Sequence, residues 1–142
     1  GQGMSVWISG DGLSSDDRDI TKRVLAVLGS ELEIEQESLL DVATAVHGSG
    51  PAYLYLLAEA WIDAGVAAGL DRPTSEVLVR QTIAGSVALW EQSGRLPAEL
   101  RAAVTSPGGT TAAGLEALEQ FNFPRAMRAA IDAATRRSRE LG

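Results

Sequence analysis

The chain has 142 residues, 45% of them hydrophobic and 5% aromatic, and a formal net charge of −7. That length suits one compact domain and is short for two ordinary ones, and the apolar content supports a core and argues against disorder. The acidic balance without a basic run sets nucleic acid aside as a partner. The lack of cysteine excludes disulfides and thiolate metal sites and fits a cytoplasmic protein.

Residues 4–8 (MSVWI) favour a strand, closed by Gly10-Asp11-Gly12. Ser14 or Ser15 then suits a helix N-cap, with Asp16 and Asp17 in the first turn, where the helix dipole favours anions. Ile20, Val24, Leu25 and Leu28 recur at helical spacing, and Gly29 is the expected stop. Residues 31–35 (ELEIE) alternate like a second strand. Two short strands and one helix do not make a stable sheet alone. Residues 1–36 therefore read as the strand–helix–strand edge of a larger sheet, cut from something longer.

From residue 37 the pattern turns helical. Residues 38–46 predict a short helix, and Gly48-Ser49-Gly50-Pro51 a tight turn with Pro51 at the first helical position of the next helix. That helix, residues 52–69, is apolar nearly all round apart from Glu59 and Asp63, which argues for burial against a second subunit. Residues 54–70 come nearest to the roughly 18 continuous apolar residues of a membrane span. Glu59 and Asp63 interrupt them, so neither a membrane span nor a signal peptide is expected. Asp71-Arg72-Pro73-Thr74-Ser75 breaks the chain and caps a helix over residues 76–92, which Ser93-Gly94 ends. A short helix over 97–104, a loop over 106–109, a helix over 111–120 and a final amphipathic helix over 124–141 follow. The last carries Arg125, Arg128, Arg136, Arg137 and Arg139 on its wet side.

The loop Ser106-Pro107-Gly108-Gly109-Thr110-Thr111 is the sharpest chemical feature. Two glycines let backbone N–H groups face a ligand closely, and the loop opens a helix, whose N-terminus offers unpaired donors and partial positive charge. Three hydroxyls surround the same point. These properties suit a carboxylate-sized anion, and they equally suit a plain capped helix start. The Gly48-Ser49-Gly50-Pro51 turn is a second place of close approach, open to the same two readings. Neither loop is a G-x-G-x-x-G following a strand, so the dinucleotide fingerprint lies outside this sequence. His47, the one histidine, abuts the Gly48 turn and reads as structural. Asp16, Asp17 and Asp19 read as helix-start acids rather than metal ligands, and no metal is expected. Without cysteine no Cys–His pair can form, and with the one histidine read as structural no nucleophilic triad is expected.

Val104-Thr105-Ser106-Pro107-Gly108-Gly109-Thr110-Thr111-Ala112-Ala113-Gly114-Leu115-Glu116-Ala117-Leu118-Glu119 resembles the signature of pyrroline-5-carboxylate reductases. Thr44-Ala45-Val46-His47-Gly48-Ser49-Gly50-Pro51-Ala52-Tyr53 resembles a second motif of the same family. Ala64-Gly65-Val66, Gly69-Leu70, Gln81-Thr82 and Pro97-Ala98-Glu99-Leu100 fall between them in the expected order. The resemblance covers essentially the whole chain. Two departures stand out: position 47, commonly serine in the family, is histidine, and Ala102 and Ala103 stand where polar residues often precede the signature.

The resemblance implies a mainly α fold over residues 37–142, a helical dimerisation and substrate-binding domain of the 6-phosphogluconate-dehydrogenase C-terminal-like type. It implies an N-terminal Rossmann domain holding NADP or NAD, ending near Gly1 to Met4, and an active site between that domain and interlocked helical subunits. It implies the reduction of 1-pyrroline-5-carboxylate to L-proline in proline biosynthesis, by a homodimer or a ring of dimers, with this chain inactive alone. Ser106, Gly108, Gly109, Thr110 and Thr111 would hold the substrate carboxylate, the Thr111 hydroxyl would contact the ring nitrogen, and Glu37 would stand close by. Thr44, Gly48, Ser49 and Gly50 would border the nicotinamide. Two other readings remain: a dimerisation module without redox activity, and a reductase of another cyclic imino acid.

Overall fold

Ser14 and Asp17 start the first helix by capping each other. The Asp17 N–H donates to Ser14 Oγ at 3.2 Å and the Ser14 N–H to the Asp17 carboxylate at 3.4 Å, satisfying two otherwise orphaned donors. A computed structural model describes residues 2–142. It sets this helix, α1 (Ser15–Leu25), between the strands β1 (Gly3–Trp7) and β2 (Gly29–Glu33). The strands pair in parallel, Gly3 opposite Gly29 and Trp7 opposite Glu33, so the expected strand–helix–strand is present. Gly29 does not stop the helix; α1 ends at Leu25 with Ala26 as its cap, and Gly29 opens β2 with a positive φ.

Charges join α1 to the sheet. Trp7 Nε1–H donates to Glu31 at 2.7 Å, and Ser9 Oγ–H to Glu33 at 2.7 Å. Arg18 and Lys22 of α1 lie 3.6 and 3.8 Å from the Glu33 carboxylate. The apolar residues Ile20, Val24 and Leu28 are exposed instead.

After β2 the chain tightens into a 3₁₀ turn (Glu37–Leu39), runs as the single-turn helix α2 (Leu40–Ala43), and widens into a π-turn (Thr44–Gly48) before α3 (Gly50–Ala67). The expected tight turn at residues 48–51 thus shrinks to one bend residue, Ser49, whose N–H donates back to the Thr44 carbonyl at 2.9 Å. Pro51 gives a physical reason. An α-helix running straight through it would drive the ring against the His47 carbonyl and leave that carbonyl unpaired. A wider turn before the proline shifts the register and lets a new helix begin.

Asp71 caps α4 (Arg72–Ser93), accepting the Thr74 N–H at 2.7 Å. That bond holds the carboxyl below its ordinary pKa. The helix therefore begins four residues earlier than the sequence pattern suggests, because Pro73 fits a helix's first turn. Gly94, with φ 61°, ends it as expected. The helices α5 (Pro97–Ala103), α6 (Thr110–Gln120) and α7 (Phe123–Leu141) complete the chain. The Glu99 carboxylate starts α5 by accepting the Leu96 N–H at 2.9 Å.

The chain forms two compact units, one of the described residues up to Pro51 with Arg128–Gly142, the other of Ala52–Met127. In the first, Ala45 and Thr135 are buried. The α7 residues Ile131, Ala134, Thr135 and Ser138 make its inward line, while all five arginines named above are exposed, as the amphipathic pattern predicts. In the second, Val79 and Ser75 are buried. Ser75 Oγ–H donates to the Ile62 carbonyl at 2.9 Å, tying α4 to α3. A Cβ added at Gly65 would collide with that hydroxyl, so the glycine admits the close approach. Gly65→Ala is expected to destabilise the protein by about 1–3 kcal/mol through overpacking. Urea denaturation checks it, and an unchanged midpoint would contradict the contact.

Among the described residues no helix is long and apolar enough to cross a membrane. The α3 helix has no buried residue, and Leu54, Tyr55, Leu56, Leu57 and Trp61 are all exposed. A helix with apolar residues on most faces is solvated on them here, in the unpartnered chain.

Candidate functional site

Helix α5 closes with the Thr105 hydroxyl donating to the Arg101 carbonyl at 2.6 Å. The next four residues form a turn, in which the Gly109 N–H donates to the Ser106 carbonyl at 3.0 Å. Pro107 takes the second position, suited to its fixed φ, and Gly108 takes the third with φ 68°, the type II pattern. Gly109 is required for a different reason. Its own φ is −80°, open to any residue, but a Cβ there would collide with Ser106 Oγ. One glycine makes the turn and the other leaves room for a hydroxyl.

Gly109 is also the N-cap of α6 and offers no side chain to the helix. The first amides of α6 have no acceptor within the helix, and the dipole adds positive potential there. No acidic residue stands in the first turn. From Glu99 to Glu116 the sequence has no carboxylate, and Arg101 is its one cation, in a chain of net charge −7. Ser106, Thr110 and Thr111 are exposed. The five residues assigned to the substrate in this stretch therefore share one short turn and helix start. Chemically, its unpaired donors, its lack of acids and the hydroxyls at its edge suit a small anion.

The other sequence-predicted residues lie in the other unit. Thr44, Gly48, Ser49 and Gly50 are gathered on the π-turn and its exit. Thr44 Cγ2 would lie 3.6 Å from a Cβ at Gly48, and one at Gly50 would meet nothing within 4 Å. Thr44 and Gly48 are exposed, and His47 is half-buried. Glu37 is exposed at the head of the 3₁₀ turn. The π-turn is the feature that sequence reasoning missed. Such turns recur at functional sites, and the only local signal was Pro51 three residues after Gly48.

Among the described residues no group of three or more His, Cys, Asp or Glu side chains could hold a metal. Asp17 is engaged in its helix cap. A hollow of about 500 Å³ beyond the ends of β1 and β2 is lined by Asp11, Arg18, Glu33 and Glu35, among others. Three carboxylates against one guanidinium give it the wrong sign for a diphosphate.

A small parallel strand–helix–strand unit followed by helices defines a mainly helical class of protein. Residues 37–141 match the family model described as pyrroline-5-carboxylate reductase dimerisation. A pyrroline-5-carboxylate reductase from a Synechocystis species is 41% identical over 142 residues, 100% of this chain and 53% of that protein. The structure of a pyrroline-5-carboxylate reductase from Coxiella burnetii superposes with a TM-score of 0.95 at 30% identity, covering 99% of this chain and 52% of that one. That of Plasmodium falciparum pyrroline carboxylate reductase with NADP bound gives 0.88 at 39% identity, over 99% of this chain and 53% of that one. The chain belongs to the pyrroline-5-carboxylate reductase family. It spans about half the length of the curated relatives it matches.

Proposed function

We propose that this chain is the helical half of an NAD(P)H-dependent pyrroline-5-carboxylate reductase, and that it supplies the substrate carboxylate seat and the homodimer interface. A division at residue 37 is supported by the span of the family match, 37–141. A cytoplasmic location goes with this reading. The observation that carries it is the uncapped, acid-free start of α6 beside Ser106.

In this reading the Thr110 and Thr111 amides and the Ser106 hydroxyl bind the carboxylate of 1-pyrroline-5-carboxylate, with Gly108 and Gly109 shaping the turn. The Thr111 hydroxyl faces the ring nitrogen and orients the C=N bond. In the other unit, Thr44, Gly48, Ser49 and Gly50 border the nicotinamide, and Glu37 heads the 3₁₀ turn before them. Gly48 at the end of the π-turn and Gly50 at its exit carry no side chain, and the open space at Gly50 suits a flat ring, whereas the acidic hollow beyond the strands does not fit the cofactor's phosphates. NADPH or NADH would supply the hydride. An imine that arrives protonated needs little acid–base machinery, so positioning by the protein carries most of the rate.

The test is steady-state oxidation of NAD(P)H by the full-length protein with 1-pyrroline-5-carboxylate and with pyrroline-2-carboxylate. Turnover favouring the first supports the proposal. Preference for the second changes the substrate to another cyclic imino acid, and no turnover with either leaves a dimerisation module.

A further inference from the structure

We propose that Asp41, Ser138 and Arg139 form a positioning clamp that holds the π-turn Thr44–Gly48 in place, and through it the seat of the nicotinamide. The inference rests on the proposed function for the nicotinamide's location, but the clamp itself stands on contacts within one unit. The helix α2 is a single turn of four residues, too short to hold its own conformation in water. The π-turn that follows is of a rare kind, and its one fully buried side chain is Ala45, a methyl group. Something outside this segment must fix it.

Asp41 is where that contact is made. Ser138 Oγ–H, 97 residues away in the sequence, donates to Asp41 Oδ1 at 2.7 Å. Arg139 Nε lies 3.8 Å from Asp41 Oδ2. Both carboxylate oxygens thus face α7, whose inward line includes the buried Thr135 one turn before Ser138. The backbone of Asp41 faces the other way along the chain, its carbonyl accepting the N–H of Thr44, the first residue of the π-turn. One residue therefore links the C-terminal helix by its side chain to the π-turn by its main chain. The serine bond is short and charge-assisted and carries the clamp. The arginine contact is longer, its guanidinium side chain is more than half exposed, and it plays the smaller part.

The test uses the full-length reductase. Ser138→Ala is expected to raise KM for NAD(P)H and lower kcat, each by roughly tenfold or more, as small misplacements of positioning groups do. KM for the imine should stay within about twofold, because its proposed seat is in the other unit. Ser138→Thr keeps a hydroxyl and should restore both parameters. Amide hydrogen exchange over residues 44–49 should quicken in Ser138→Ala and not in Ser138→Thr. A lowered melting temperature with unchanged kinetics and unchanged exchange at 44–49 would overturn the clamp, as would equal losses for imine and cofactor. Should Ser138→Ala fail to fold, Asp41→Ala, which removes the acceptor, is read in the same way. If the wild-type enzyme reduces no imine, the functional reading fails, and the exchange measurement still decides the clamp.

Discussion

Thr111→Ala in the full-length enzyme is expected to lower kcat/KM for the imine about 100-fold, near the lower end of what losing one positioned donor costs. Cofactor affinity should hardly change. Three features separate this loss from a folding defect. Thr111 is exposed in the first turn of α6, so its removal leaves no cavity. Its hydroxyl does not cap the helix, which begins at Gly109 without a side-chain bond. Alanine also has the higher helix propensity. The residues assigned to the nicotinamide belong to a different element, the π-turn and its exit, and the truncation on α6 removes none of them. Steady-state kinetics with both substrates varied measures the two effects separately. An unchanged kcat/KM would remove the Thr111 hydroxyl from the mechanism.

The second large effect concerns assembly. This chain alone is expected to run as a dimer by multi-angle light scattering, and Leu56→Asp to raise the dissociation constant by a thousandfold or more. Tyr55 and Leu56 of α3 are 70% and 66% exposed, and Leu54, Leu57 and Trp61 on the same helix are exposed too. Fully burying one such side chain contributes about 1.5–3 kcal/mol, so covering five supplies on the order of 10 kcal/mol towards association before the entropy of binding is subtracted. Apolar side chains exposed on most faces of one helix mark a protein-binding surface. In a symmetric dimer each substitution counts twice, and an unpaired buried carboxylate costs several kcal/mol, which is where the thousandfold comes from. A monomeric wild-type chain would contradict the pairing of α3.

Much of this was legible in the sequence. Caps and breaks were, because they depend on local chemistry: Ser14 with Asp17, Asp71 with Thr74, and Gly94 act within a few residues of themselves. The Ser106–Thr111 segment was legible for the same reason, since a proline, two glycines and three hydroxyls in six residues define a turn with little side-chain bulk. The π-turn was not, because a widened turn has no composition of its own and follows from Pro51 meeting a helix already under way. Nor was the orientation of α1. Its apolar residues recur at helical spacing, but Glu33 of β2 stands beside Arg18 and Lys22, and Ile20 and Val24 are exposed. The clamp at Asp41 was invisible for a third reason, since it joins residues 97 positions apart and no local pattern records such a contact.

Binding of a cyclic imine's carboxylate at the start of α6 is tested by deleting that carboxylate and the seat together. The measurement is kcat/KM of the full-length enzyme, wild type and Gly109→Ala, with 1-pyrroline-5-carboxylate and with 1-pyrroline, which lacks the carboxylate. Alanine at 109 suits the backbone and places its methyl where Ser106 Oγ now sits. The wild type should strongly prefer the carboxylated imine, and the variant should lose most of that preference while its slow turnover of 1-pyrroline stays the same. A variant that loses activity equally on both substrates, or keeps its preference intact, would contradict the claim.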